Sequence, residues 1–131
     1  ATDVDRAALA RATAATYSPN SLRDMPDLLR DVGFDLVSET QQWTPKPQVR
    51  ALITFRQLNL IGEWPFRGTF DAIFCRNVAI YMDDDTQEHI WTRFKDRLRP
   101  QGHLFIGHSE RLSPSRRDDF ALVGNKIFQR T

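Results

Sequence analysis

Residues 70–81, FDAIFCRNVAIY, decide how this chain is read. The run is apolar nearly throughout, broken only by Asp71 and by Arg76-Asn77. A continuous apolar run of strand length predicts a strand buried on both faces, as in a parallel sheet covered by helices. Packing alone gives no reason for Arg76 and Asn77 at the end of such a strand, so function is the better reading. Asp83-Asp84-Asp85 then places negative charge where a helix begins, which favours the helix dipole. Ile90, Trp91, Phe94 and Leu98 recur at helical spacing, and Lys95, Arg97 and Arg99 load the last turn with cations. Pro100 and Gly102 stop the helix, and residues 103–107, HLFIG, predict another short buried strand. Finally FALV and KIFQ flank Gly124-Asn125, which predicts an antiparallel hairpin with a type II′ turn.

Upstream, Asp3 or Asp5 can cap a helix over residues 6–16, where alanine, the best helix former, dominates. Residues 17–20, YSPN, break it. Pro26 suits the start of a second short helix; Leu28, Leu29 and Val32 give it an apolar face, and Gly33 can end it in a left-handed conformation. From 34 to 46 the pattern is loose and polar, and Pro45 and Pro47 forbid a regular central strand. Residues 52–60 alternate enough for a strand, with Ile53 and Phe55 on one face.

The 131 residues predict a single smallish domain. Eighteen basic residues against 17 acidic give a net charge of +1, which argues against a general nucleic-acid footprint. The single cysteine, Cys75, rules out an internal disulfide framework and suits a reducing compartment. No apolar run approaches the roughly 18 residues of a spanning helix. Residue 1 is Ala, and the opening ATDVD gives no sign of a natural start, so a piece of a longer protein is expected.

Strand, helix, strand and closing hairpin predict an α/β protein with a mainly parallel sheet and an antiparallel edge. Ligands of such sheets bind beyond the carboxyl ends of the strands. The residues there are Asn59-Leu60, Arg76-Asn77 and His108-Ser109-Glu110, joined by Asp3. Blander readings stand beside these. Asp3 can be a helix cap, Asn59 a turn former ahead of Gly62, and Tyr81 a buried aromatic with a satisfied hydroxyl. His108, Ser109 and Glu110 resemble a catalytic triad only superficially, because neighbours on one strand end cannot point at one another; support of the site or helix capping is expected. Cys75 reads as a small core residue. The Asp83 to Asp85 cluster reads as a helix start rather than a divalent-metal site.

Four segments, ATDVD (1–5), RQLNL (56–60), FDAIFCRNVAIY (70–81) and GHLFIGHSE (102–110), occur in this order with compatible spacing. Together they closely resemble the chemotaxis receptor methyltransferases of the CheR type, and the likeness is weakest between 34 and 48. The resemblance implies part of a class I methyltransferase fold whose sheet order is 3-2-1-4-5-7-6. Residues 1–131 would form the C-terminal part of the catalytic domain, lacking the first strand, with about 35–54 as the family's small β-subdomain. It further implies S-adenosylmethionine as cofactor and S-adenosylhomocysteine as product. Asp3 would accept hydrogen bonds from the ribose hydroxyls, Asn59 and Leu60 would lie against the adenine, and Arg76 and Asn77 would line the methionine side. Tyr81 would stand over the transferring methyl group as the catalytic residue, with no metal in the site.

The implied function is cytoplasmic methylation of glutamate side chains on the cytoplasmic helices of methyl-accepting chemoreceptors, without nucleic acid or membrane insertion. The alternative is a non-catalytic methyltransferase-like module that docks on signalling proteins. A nucleic-acid methylase of the same fold would carry an Asn/Asp-Pro-Pro-aromatic turn where this chain has Arg76-Asn77-Val78-Ala79. The family's helical domain and its glycine-containing turn after the first strand are not in this sequence. The fragment alone is therefore expected to be inactive, and to self-associate through strands 52–58 and 70–80.

Overall fold

Alanine-rich sequence and one aspartate build the first helix of this computed structural model, which describes residues 1–116 and 118–131. The chain divides into two compact units, Ala1–Gly62 and Glu63–Thr131.

In the first unit, strand β1 (Thr2–Asp3) leads into helix α1 (Arg6–Ala14). Asp5 caps α1, its Oδ1 accepting the Ala7 N–H at 2.7 Å. The helix stops two residues short of expectation because Ala15 turns left-handed, with φ 52°. Helix α2 (Asp27–Gly33) runs directly into β2 (Phe34–Val37), and Phe34 is already extended. Gly33 is thus not left-handed; among the described residues no glycine has positive φ. Leu28, Leu29 and Val32 are 60% exposed or more, so the expected apolar face is not buried.

Strand β2 pairs antiparallel with β3 (Gln42–Pro45), from Phe34↔Pro45 to Val37↔Gln42. The loose reading of this region is corrected to a hairpin. Pro45 is accommodated because it ends the strand. Trp43 also exchanges both backbone hydrogen bonds with Tyr17, at 2.8 and 2.9 Å. Pro47 opens the one-turn helix α3 (Pro47–Arg50). The amides of Leu52 and Ile53 donate to Val49 and Arg50, continuing this turn. The strand expected over 52–60 therefore shrinks to β4 (Arg56–Gln57), parallel to β1 with Thr2↔Arg56 and Asp3↔Gln57.

The second unit holds β5 (Phe70–Cys75), α4 (Asp84–Arg97), β6 (Leu98–Ile106), β7 (Phe120–Gly124) and β8 (Ile127–Arg130). Asp83 caps α4 by accepting the Thr86 N–H at 2.8 Å. The four strands are ordered β5-β6-β8-β7. β5 and β6 are parallel; β8 is antiparallel to both β6 and β7. The sheet is mixed rather than mainly parallel, since the hairpin supplies half of its strands.

Ile90, Trp91 and Phe94 of α4 are buried, as are Leu98, Leu104 and Ile106 of β6. The helical spacing identified Ile90, Trp91 and Phe94, whereas Leu98, read in the same helix, is the first residue of β6 because its backbone is already extended. The prediction that 70–81 is one strand buried on both faces is corrected. The strand ends at Cys75, Ala79–Tyr81 form a single 3₁₀ turn, and Phe74 is 70% exposed. β5 is the edge of its sheet, and on its open face Phe74 stacks on Phe105 with centroids 4.2 Å apart. The closing hairpin forms, but its left-handed residue is Lys126 (φ 59°) and not Gly124, because the register shifts between Leu122 and Gly124. Among the described residues no helix is long and apolar enough to cross a membrane.

Candidate functional site

The apolar strand β5 ends in a polar loop, and the geometry of that loop is set by a residue 31–33 positions away. Asn77 is left-handed at φ 58°, and Val78 follows in the right-handed region at φ −118°, ψ −51°. Asn tolerates the left-handed region better than most residues. A left-handed and a right-handed residue in succession turn their N–H groups to one side and form an anion-binding concavity. The Glu110 carboxylate fills it. Its Oε1 accepts from the N–H groups of Val78 and Ala79, both at 2.8 Å, and its Oε2 accepts from Asn77 at 3.1 Å and from Gly107.

Glu110 is 2% exposed. A carboxylate so placed is tolerable only when its oxygens are hydrogen-bonded. Burial pushes its pKa up, but the four donors, Gly107, Val78, Ala79 and Asn77, outweigh burial and hold it below the ordinary carboxylate range. The Glu110 backbone is fixed as well: its N–H donates to Gly107 O at 3.1 Å, and its carbonyl accepts from Lys126 Nζ at 2.5 Å. Cys75 is buried beside this charge. Burial first, and Glu110 second, push its thiol up to about 12, so it is a protonated core side chain at neutral pH.

This arrangement ties Asn77, which follows Arg76, and the start of the turn Ala79–Tyr81 to Glu110 at the carboxyl end of β5. Arg76 is exposed and makes no ion pair among the described residues. With Phe74, Phe105, His108 and Lys126 it lines a groove of about 260 Å³. Tyr81 is 84% exposed, so it is not a buried aromatic. His108 and Ser109 are exposed, and neither bonds to Glu110, so the three form no triad.

In the first unit, parallel pairing of β1 with β4 brings Asp3 beside the segment leading to Asn59-Leu60, where Leu58 N–H donates to Asp3 O at 2.9 Å. Asp3 is exposed and is not the cap of α1; its Oδ1 accepts from Asp5 N at 2.9 Å. Its Oδ2 takes no hydrogen bond among the described residues. Asn59 forms a turn, its Oδ1 accepting from Ile61 N at 3.0 Å and its carbonyl from Gly62 N at 3.2 Å. Leu60 follows, half-buried.

Sequence reasoning gave Glu110 a supporting part without seeing what it supports, and it missed Gly107. The available signal was a glycine directly after a strand with an acid three positions on.

The family model for the CheR methyltransferase, SAM binding domain, matches residues 1–128. The chain is similar to a probable chemotaxis protein methyltransferase of Rhizobium etli, 41% identical over 100% of this chain and 50% of the relative. It is also similar to chemotaxis protein methyltransferases of Klebsiella aerogenes (40% identical, 98% of this chain, 45% of the relative) and Escherichia coli (36%, 98% and 46%). The chain thus spans about half the length of the curated relatives it matches.

Proposed function

Since the chain belongs to the CheR methyltransferase family, in its S-adenosylmethionine-binding domain, we propose that it is the cofactor-binding part of a protein-glutamate O-methyltransferase acting on chemoreceptors. The observation that carries this reading is the position of its polar residues. Within the first unit Asp3 and Asn59-Leu60 stand at or just past the carboxyl ends of the parallel pair β1-β4, and within the second Arg76-Asn77 follow the carboxyl end of β5, parallel to β6; strand ends of this kind bind ligands. The order β5-β6-β8-β7 supports assignment of these strands as the 4-5-7-6 half of a class I methyltransferase sheet, and the parallel pair β1-β4 as the 2-3 pair. The β2-β3 hairpin supports a small β-subdomain at about 35–54.

The side chains fit the cofactor. The unpaired Oδ2 of Asp3 is an acceptor suited to ribose hydroxyls. The exposed Arg76 guanidinium suits the carboxylate of the methionine part, with Asn77 beside it. Asn59 and Leu60 offer a turn and an apolar surface for adenine. When bound, S-adenosylmethionine supplies an electrophilic methyl group on a sulfonium centre. The acceptor is a glutamate carboxylate, already ionised at neutral pH, so no general base is required. Transfer to that carboxylate would exchange the donor's C–S bond for an O–C bond, the electron pair remaining on sulfur. Two opposite charges become neutral products, so excluding water helps, and alignment is the remaining requirement. Tyr81 is assigned to that alignment at the reacting centre.

The test uses the full-length gene product with methyl-labelled S-adenosylmethionine and the cytoplasmic helices of a chemoreceptor. Base-labile methyl groups on receptor glutamates are the expected product. Cofactor binding without any transfer would favour the non-catalytic docking module instead. The receptor helices are cytoplasmic, which places the proposed activity there.

A further inference from the structure

We propose that Glu110 is a positioning residue for this site: an anion built into the chain that occupies the concavity of residues 77–79 and so sets where Arg76, Asn77 and Tyr81 stand. The inference rests on the methyltransferase reading above. Its basis is the division of labour between the two carboxylate oxygens. Oε1 holds Val78 and Ala79, which begin the 3₁₀ turn carrying Tyr81. Oε2 holds Asn77 and Gly107, and so joins the loop after β5 to the end of β6. None of the four bonds goes to α4 or to the hairpin strands. The clamp therefore acts on the polar loop and on its distance from β6, and the main core is built from other residues.

The chemistry of the clamp is specific to a carboxylate. Four N–H donors need four acceptor positions, and an ionised carboxylate offers them on two oxygens. A glutamine of the same shape turns its NH₂ toward one of the two donor pairs. Donor then faces donor, either at Val78 and Ala79 or at Asn77 and Gly107. Removing the side chain altogether leaves an anion-binding concavity without its anion. A small carboxylate from solution has the chemistry to replace it.

The test uses the full-length gene product and its variants, with S-adenosylhomocysteine affinity measured by calorimetry and methyl transfer measured in parallel. Folding is checked by near-ultraviolet circular dichroism. E110Q is expected to fold, to bind about tenfold more weakly and to lose kcat; tenfold is the scale of one charge-assisted hydrogen bond lost. In E110A, formate or acetate is expected to restore part of the affinity, whereas chloride at equal ionic strength does not. D5A, which removes a carboxylate that caps α1 and pairs with exposed Arg11, is expected to leave affinity unchanged. A folded E110Q with wild-type affinity and kcat overturns the proposal. So does a loss in E110A that neither formate nor acetate reverses, because ordinary support of the fold would then suffice. If E110Q and E110A do not fold, E110D decides. One methylene shorter, it cannot reach both segments, and a folded E110D that binds like wild type also overturns the proposal. A wild-type protein that binds no S-adenosylhomocysteine overturns the methyltransferase reading itself, a result distinct from all of these.

Discussion

Gly107 approaches Asn77 so closely that a Cβ on the glycine would lie 2.5 Å from the Asn77 side-chain oxygen and 2.7 Å from the Asn77 backbone nitrogen. Glu110 Oε2 would also be 2.7 Å away. Two of these three atoms are held by the clamp itself, so the neighbours cannot yield without breaking it. Gly107→Ala is expected to destabilise the protein by about 1–3 kcal/mol, the range for inserting a group into packed surroundings. Gly33→Ala is the control: nothing lies within 4 Å of its Cβ position and its φ is not left-handed. There the expected change is neutral, or a gain of about 0.4–1 kcal/mol from a stiffer unfolded chain. Urea midpoints of the two variants check both values.

The Glu110 carboxyl is held below the ordinary range in the folded protein, while its unfolded value is ordinary, at about 4.3. The unfolded state therefore binds more protons, and stability rises with pH across this window. The contribution is fully present above the unfolded value and is lost as pH falls through the folded one. E110Q has no such proton to bind. The stability difference between wild type and E110Q is expected to be constant near neutrality and to shrink below about pH 4. Equilibrium unfolding at a series of pH values measures it. A gap that widens in acid would contradict the assignment.

Asp3 and Asp5 lie two residues apart and are expected to separate binding from folding. Asp3→Ala removes an acceptor proposed for the ribose hydroxyls, and should weaken cofactor affinity by roughly 1–3 kcal/mol with little change in stability. Asp5→Ala removes the cap of α1, and should cost about 1 kcal/mol of stability with affinity unchanged. Calorimetric titration and thermal melts of the full-length gene product distinguish the two patterns. Equal affinity for Asp3→Ala and wild type would remove Asp3 from the site.

Tyr81→Phe should lower kcat for methyl transfer more than it lowers cofactor affinity, since its hydroxyl is assigned to the reacting centre rather than to the adenosine. With the ring 84% exposed, the substitution should leave the thermal midpoint nearly unchanged. Parallel losses in kcat and affinity, or no loss in either, would count against that role.

How much of this was legible in the sequence depended on how local each signal was. Helix α4 followed from the helical spacing of Ile90, Trp91 and Phe94 and from the acidic residues 83–85 at its start, all contained in one short segment; Leu98, read as part of the same helix, opens β6 instead. Strand β5 was legible as a strand. Its burial was not, because an apolar run does not say what stands beyond the sheet edge, and Phe74 proves exposed. Residues 52–60 alternate like a strand, yet Leu52 and Ile53 were captured by the turn that Pro47 initiates. The β2-β3 hairpin was hidden because prolines marked the region as irregular, although Pro45 stands at a strand end where the missing N–H is tolerated. For the site, the strand-end rule and the resemblance selected Arg76-Asn77. Neither could show that Glu110 shapes their loop, since that bond spans more than thirty residues and leaves no periodic trace.

The separation between Glu110 and residues 77–79 also carries a consequence for biosynthesis. The ribosome adds roughly 5–20 residues per second. Residues 77–79 therefore leave the peptidyl-transferase centre about two to seven seconds before their anchoring carboxylate is made. For most of that interval β6, the parallel partner of β5, is still incomplete, and residues 77–79 have no anchoring carboxylate until residue 110 is added. The segment bearing Arg76, Asn77 and Tyr81 thus acquires its shape only after the strand that follows α4 has been translated. Slow translation between codons 80 and 110 lengthens the time for which this segment lacks its anchor.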